Sequence, residues 1–164
     1  MSDGRILVTG AAGLIGFTLA ARLHAGGRPV IGMDQVAPTE AHDFPFIAAD
    51  LGDVHKLYQA LDQGVEGIIH CGAVSGPMLL LDNPRSIVQS NIMGSANIFE
   101  AARQRDLRRV VYCSSTSAYG DHPKGLEICT EETALNAVDI YGATKASGDI
   151  MARAYAAQHG LDTV

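Results

Sequence analysis

The chain is poor in the features that mark several protein classes. It has only three cysteines, Cys71, Cys113 and Cys129, with no CxxC pair among them. That excludes a disulfide framework and a zinc site built on paired cysteines. Cys71 and Cys113 close apolar runs and read as small core residues in a reducing compartment. No apolar run approaches the ~20 residues of a membrane span, and the N-terminus opens into a strand-like run rather than a targeting segment. The expected location is cytoplasmic, with no membrane partner. Basic charge is also scarce, with 12 Lys and Arg against 18 Asp and Glu and a net charge of -6. A nucleic-acid partner is excluded on that balance, because phosphate neutralisation needs a clustered basic face. The one such cluster, Arg103, Arg105, Arg108 and Arg109, falls where a helix passes into a strand. It reads as a solvated helix end, where cations are favoured. No residue spacing suits a metal ion, and His70, without a neighbouring carboxylate in sequence, reads as packing at a strand end rather than titrating. Internal repeats and low-complexity tracts are absent.

What is present is an ordinary globular composition, 47% hydrophobic and 18% charged, over 164 residues, which fits one domain with a real core. Strand-like apolar runs at Arg5–Thr9, Pro29–Asp34, Phe44–Ala48, Gly67–Cys71 and Arg108–Ser114 alternate with helix-length segments. The helices are expected at Gly13–Ala25, Asp53–Leu61, Pro84–Gln104 and Asp139–His159. Asp53 and Asn83-Pro84 are start signals, and Gly26-Gly27 and Gly160 are stop signals. Gly120 to Val138, holding Pro123 and Gly125, reads as a loop. The alternation predicts an α/β fold with a doubly wound parallel sheet of about five strands. Leu161 to Val164 reads as the opening of a sixth strand, so residues 1–164 are expected to form one nucleotide-binding domain cut short at its C-terminus, without a substrate-binding region.

Gly10, Gly13 and Gly16 lie between the first strand and the first helix. A pyrophosphate needs backbone approach without an obstructing Cβ, free N–H groups and a favourable helix dipole. Gly10 is assigned to the sharp turn, Gly13 to close approach and Gly16 to tight helix–strand contact. Leu14 and Ile15 present the adjoining amides. Asp34 closes the second strand about 20 residues later, where a carboxylate accepts hydrogen bonds from ribose hydroxyls. Gln35-Val36-Ala37-Pro38 follow it with no cation to hold a 2′-phosphate, which points to NAD rather than NADP.

Further along stand Asp50-Leu51-Gly52-Asp53, His70-Cys71-Gly72-Ala73, Asn91, Ser114-Ser115-Thr116-Ser117-Ala118-Tyr119-Gly120 and Tyr141-Gly142-Ala143-Thr144-Lys145. With the glycine turn, this ordered set resembles the extended short-chain dehydrogenase/reductase family, which includes nucleotide-sugar epimerases and dehydratases. Gly72 departs from the family's more usual Ala. The resemblance implies a Rossmann-type fold and NAD as cofactor. It implies hydride transfer at a carbinol or carbonyl carbon of a sugar or sugar nucleotide, with a homodimer possible. Tyr141 would be the general acid/base. Lys145, one helical turn on and sharing its face, would lower the phenol's pKa and hold the nicotinamide ribose. Ser115 would hydrogen-bond the reacting oxygen. Asp50 and Leu51 would lie at the adenine, and Cys71, Gly72 and Ala73 beside the pyrophosphate and ribose. Asn91 would help order the nicotinamide end, and Ser114 would also bind the cofactor, with Ser114 and Thr116 the neighbouring alternatives to Ser115. Asn91 shares its helix face with Ile87, Gly94 and Ile98. The segment Ser75–Leu81 is apolar enough for a lid or partner contact, or for a plain core-facing loop. The alternative function is a dinucleotide-binding module or fragment without catalysis.

Overall fold

The structure is a computed structural model that describes residues 4–75, 80–121 and 128–164. Five strands, β1 (Arg5–Thr9), β2 (Val30–Asp34), β3 (Phe46–Ala48), β4 (Val65–His70) and β5 (Arg109–Tyr112), form one sheet in the order β3-β2-β1-β4-β5. Every pairing is parallel, as expected of strands joined by helical crossovers. Successive side chains leave a strand on opposite faces, so two cores form. Leu7, Ile31, Ile68 and Val110 meet Leu57, Ile98 and Phe99 on one face, while Val8, Val30 and Phe44 meet Ala20 on the other.

The helices are α1 (Leu14–Ala25), α2 (Val54–Leu61), α3 (Pro84–Val88), α4 (Gly94–Gln104) and α5 (Ile140–His159). Asp53 and Asn83, the start signals read from the sequence, and Asp139 as well, each accept a hydrogen bond from the backbone N–H three residues on. Gly160, at φ 69, ends α5 in the left-handed conformation. One expectation is corrected. Pro84–Gln104 is not a single α-helix, because residues Gln89–Met93 form a π-helical segment between α3 and α4. A π-bulge adds one residue to a turn, and hydrophobic periodicity does not register it.

Thr163 bridges Val110 in parallel, and Val110 and Tyr112 donate their N–H groups to Asp162 and Val164. Residues 162–164 thus pair with the edge of β5 through an isolated bridge. The described residues of 120–138 contain no helix or strand, while Pro123 and Gly125 lie outside the described residues, as do residues 76–79 of the expected lid. The four arginines of the basic cluster are all ion-paired, to Glu100, Asp62, Glu66 and Asp162 in turn. Among the described residues no helix is long and apolar enough to cross a membrane, and no His, Cys, Asp and Glu cluster suits a metal.

Candidate functional site

The carboxyl ends of β1, β2 and β4 open into a cleft of about 390 Å³, at the point where the strand order reverses, the usual ligand position in such sheets. Its floor is glycine. Gly10 has φ +69, and a Cβ there would stand 2.7 Å from the backbone of Cys71 and Gly72. A Cβ on Gly16 would stand 2.1 Å from the Gly10 carbonyl oxygen, so α1 could not approach β1. Gly13 is different: its nearest neighbour would be 3.3 Å away. The fold's own packing asks little of Gly13, which leaves the open side of the turn for whatever lies in the cleft.

α1 begins at Gly13 with no side-chain cap and no acidic residue in its first turn. The three starts at Asp53, Asn83 and Asp139 are capped. The first-turn N–H groups of α1 thus keep their hydrogen-bonding capacity at the cleft. Leu14 and Ile15 line it while 87% and 64% exposed, an arrangement that core packing does not account for.

Asp34 stands at the far wall. One carboxylate oxygen accepts from the Ala12 N–H (3.0 Å) and the other from the Gln35 N–H (2.7 Å). A carboxylate has about four acceptor sites, so two remain for a ribose. Asp50 does not line the cleft. It accepts from Gly52 N–H and from the Gln35 side-chain amide, each at 2.6 Å, and so steers Gln35, which does line the cleft. Leu51 forms the wall beneath Gly94. Gln35, Met33, Val74 and Ser90 also line the site, and sequence reasoning passed over all four because their types carry no motif.

A buried polar chain crosses the molecule behind the cleft. Gly72 N–H donates to Thr9 Oγ1 (3.2 Å), and Thr9 Oγ1 meets His70 Nδ1 (2.6 Å). His70 Nε2 meets Ser95 Oγ (3.1 Å), which donates to the Asn91 carbonyl (2.6 Å). Because the Ser95 hydrogen is committed to Asn91, His70 must donate from Nε2 and accept at Nδ1, the neutral tautomer. Burial, with the Lys145 charge second, pushes the His70 pKa down to about 3. His70 thus packs uncharged, as its sequence context implied, but as a linker in a polar network rather than a passive filler.

Asn91, 1% exposed, continues the chain. Its amide accepts from Val74 N–H (2.7 Å) and donates to Val74 O and Thr144 Oγ1, both at 3.0 Å. Thr144 donates to the Tyr141 carbonyl (2.7 Å). Both amide hydrogens of Asn91 are engaged within the protein, so it orders the cleft wall at Val74 and the start of α5 rather than donating to a ligand.

The first turn of α5 sits on the 3₁₀ turn Thr116–Ala118 that follows β5. Gly142 permits this, since a Cβ there would lie 2.3 Å from the Ser117 carbonyl oxygen. The contact brings Tyr141 and Ser115 to the same end of the sheet. Ser115 Oγ accepts from Ser117 N–H (3.2 Å), and its hydrogen has no acceptor among the described residues. Tyr141 is half-buried and its hydroxyl is likewise unengaged among them. Ser114, expected to bind the cofactor, is exposed and donates to Asp149 on α5 (2.7 Å). Lys145 is 3% exposed. Its ammonium sits 4.4 Å from the Tyr112 ring centroid and makes no hydrogen bond among the described residues. Burial lowers its pKa, while Cys113, Asp149 and Cys71 raise it. Cys71 and Cys113 differ from expectation: both are partly buried rather than core residues, and Cys71, with Gly72 and Ala73, lines the cleft.

Against known proteins, the model of the NAD dependent epimerase/dehydratase family matches residues 6–164. The UDP-glucose 4-epimerase of Mycolicibacterium smegmatis is 33% identical over 96% of this chain and 53% of its own length. A probable UDP-glucuronate 4-epimerase of Rhizobium meliloti is 32% identical over 97% of this chain and 51% of its own. A short-chain dehydrogenase/reductase superfamily protein from Agrobacterium tumefaciens, solved with bound NAD, superposes with a TM-score of 0.87. It is 29% identical over 98% of this chain and 47% of its own. The chain spans about half the length of these relatives.

Proposed function

This chain belongs to the NAD dependent epimerase/dehydratase family, and from that membership we propose that it binds NAD in the cleft and supplies the acid/base machinery for hydride transfer on a sugar nucleotide. The observation that carries the reading is Lys145: a buried ammonium with no hydrogen-bond acceptor among the described residues costs several kcal/mol unless a ligand supplies one. A ribose hydroxyl pair is such a ligand. The uncapped turn at Gly13 suits the pyrophosphate and the two remaining acceptor sites of Asp34 suit the adenosine ribose, so the residues present fit the dinucleotide. NAD, when bound, supplies the hydride acceptor.

The residues do the rest. Ser115 has a hydroxyl hydrogen to give to a substrate oxygen, and Tyr141 exchanges a proton with that oxygen. Lys145 lies one helical turn from Tyr141 on α5 and supplies the buried cation at that end of the site. Asn91 and Thr144 hold the turn of α5 from which Tyr141 projects. The UDP-sugar names of the two epimerase relatives support a sugar nucleotide as substrate. Val88, Met93 and Ile150 leave apolar side chains exposed along the segment from α3 to α4 and on α5, which suits a homodimer packed through those helices.

Calorimetric titration with both cofactors tests the cleft. NAD is expected to bind at least ~10-fold more tightly than NADP, a difference of about 1.4 kcal/mol, because Asp34 repels a 2′-phosphate and no cation follows it. Asp34→Ala is expected to narrow the gap. Equal affinities in the unaltered chain would remove Asp34 from the site.

A further inference from the structure

Cys71 and Cys113 stand one residue beyond the last paired positions of β4 and β5, His70 and Tyr112. In-register neighbours on parallel strands project to the same face, and adjacent strands lie about 4.8 Å apart, inside the Cα separation that a disulfide spans. The Sγ atoms are 3.4 Å apart, and both thiols are free and only partly buried. Cys71 reaches the surface through the cleft. Two thiols in contact beside a ligand site, bridgeable with little backbone movement, form a reactive unit that the acid/base chemistry does not use.

We infer that Cys71 and Cys113 form a peroxide-reactive dithiol that closes to a disulfide beside the cleft, where a bound dinucleotide covers Cys71. Cys113 is the attacking sulfur. Hydrogen bonding from the Cys71 thiol and the nearby Lys145 charge push its pKa down, while the same pairing and burial push Cys71 up. The Cys113 thiolate attacks one oxygen of hydrogen peroxide, the O–O bond breaks, and hydroxide leaves to become water. The resulting sulfenic acid is attacked by Cys71, whose proton goes to the departing oxygen as the S–O bond breaks and the S–S bond forms. Two thiols lose two electrons, and one peroxide becomes two waters. A dinucleotide in the cleft lies against Cys71, which lines it, so closure is slower when NAD is bound. This last consequence rests on the NAD reading; disulfide formation does not.

The test uses a Cys129→Ser background, which removes the remaining thiol. The reduced protein is treated with one equivalent of peroxide, and intact mass and peptide mapping are read after blocking free thiols. The expected result is loss of two hydrogens, a linked peptide pair containing Cys71 and Cys113, and full reversal by a dithiol reductant. Cys113→Ala should abolish peroxide consumption, and Cys71→Ala should stop at a trappable sulfenic acid. Both thiols remaining blockable after peroxide, or linkage only between molecules, would overturn the dithiol. Saturating NAD is expected to slow closure at least ~10-fold. A disulfide that forms at the same rate with NAD bound would overturn the claim that the dinucleotide covers it, while the dithiol itself would stand.

Discussion

In an unfolded chain the His70 imidazole titrates near 6.5, whereas in the fold it is held neutral down to about pH 3. Its folded-state pKa is the lower one. The unfolded state therefore binds the extra proton between those values, and stability present above pH 6.5 is lost as the pH falls toward 3. The span corresponds to a loss on the order of several kcal/mol. Acid unfolding followed by circular dichroism is expected to begin above the ordinary carboxylate range. His70→Gln, whose amide can accept from Thr9 and donate to Ser95 without titrating, is expected to flatten the dependence between pH 6 and 4; an unchanged slope would mean that another group sets it. Tyr141 poses the chemical counterpart. Removing its hydroxyl leaves the cleft at β1, β2 and β4 untouched, so Tyr141→Phe is expected to keep NAD affinity while turnover drops by ~10²–10⁴-fold. Steady-state kinetics beside calorimetry would separate the two, and wild-type turnover would exclude Tyr141 as the acid/base.

At the scale of elements, the site depends on how closely α5 lies against the turn after β5. The 3₁₀ turn is capped by Ser115 itself, so the hydroxyl assigned to the substrate also fixes the surface on which α5 rests. Gly142→Ala puts a methyl 2.3 Å from the Ser117 carbonyl oxygen, a backbone atom that cannot rotate aside. The expected cost is about 1–3 kcal/mol, as for other overpacked sites, read as a lower urea midpoint with an unchanged slope. Since Tyr141 adjoins the displaced residue, turnover should fall further than NAD affinity. The π segment between α3 and α4 acts on the same geometry from the other side. It buries Asn91, whose amide then ties Val74 in the cleft wall to Thr144 on α5.

For the whole molecule, the dinucleotide reading has a thermodynamic signature that requires no substrate. A ligand that binds only the folded state, present at 100 times its Kd, adds ~2.7 kcal/mol. For a domain of this size that is a rise in Tm of roughly 5–10 °C. NAD is expected to produce that shift in a thermal melt, and NADP at the same concentration a smaller one. No shift with NAD at millimolar concentration would count against the cleft as its site.

What the sequence by itself determined was whatever depends on local rules. Alternating apolar runs and helix-length segments are enough for a parallel sheet, because each strand must bury both faces and each crossover must cover one. Asp53 and Asn83 marked helix starts because a cap bonds within three residues of itself. The roles of Gly10 and Gly16 were legible for a similar reason: a strand-to-helix turn needs them within one short motif. Tertiary structure alone decided the rest, where the partner is remote in sequence. Nothing in residues 88–94 announces a π turn, since its register is set by what Asn91 reaches in the adjoining loop and in α5. Asp50 and Gln35 exchanged places at the cleft because a hydrogen bond between two chain segments, not residue type, chose which side chain faced inward. His70 reads as an isolated histidine until Thr9 and Ser95 are brought to its two nitrogens. Cys71 and Cys113 lie far apart along the chain, and only the register of β4 against β5 puts their sulfurs in contact.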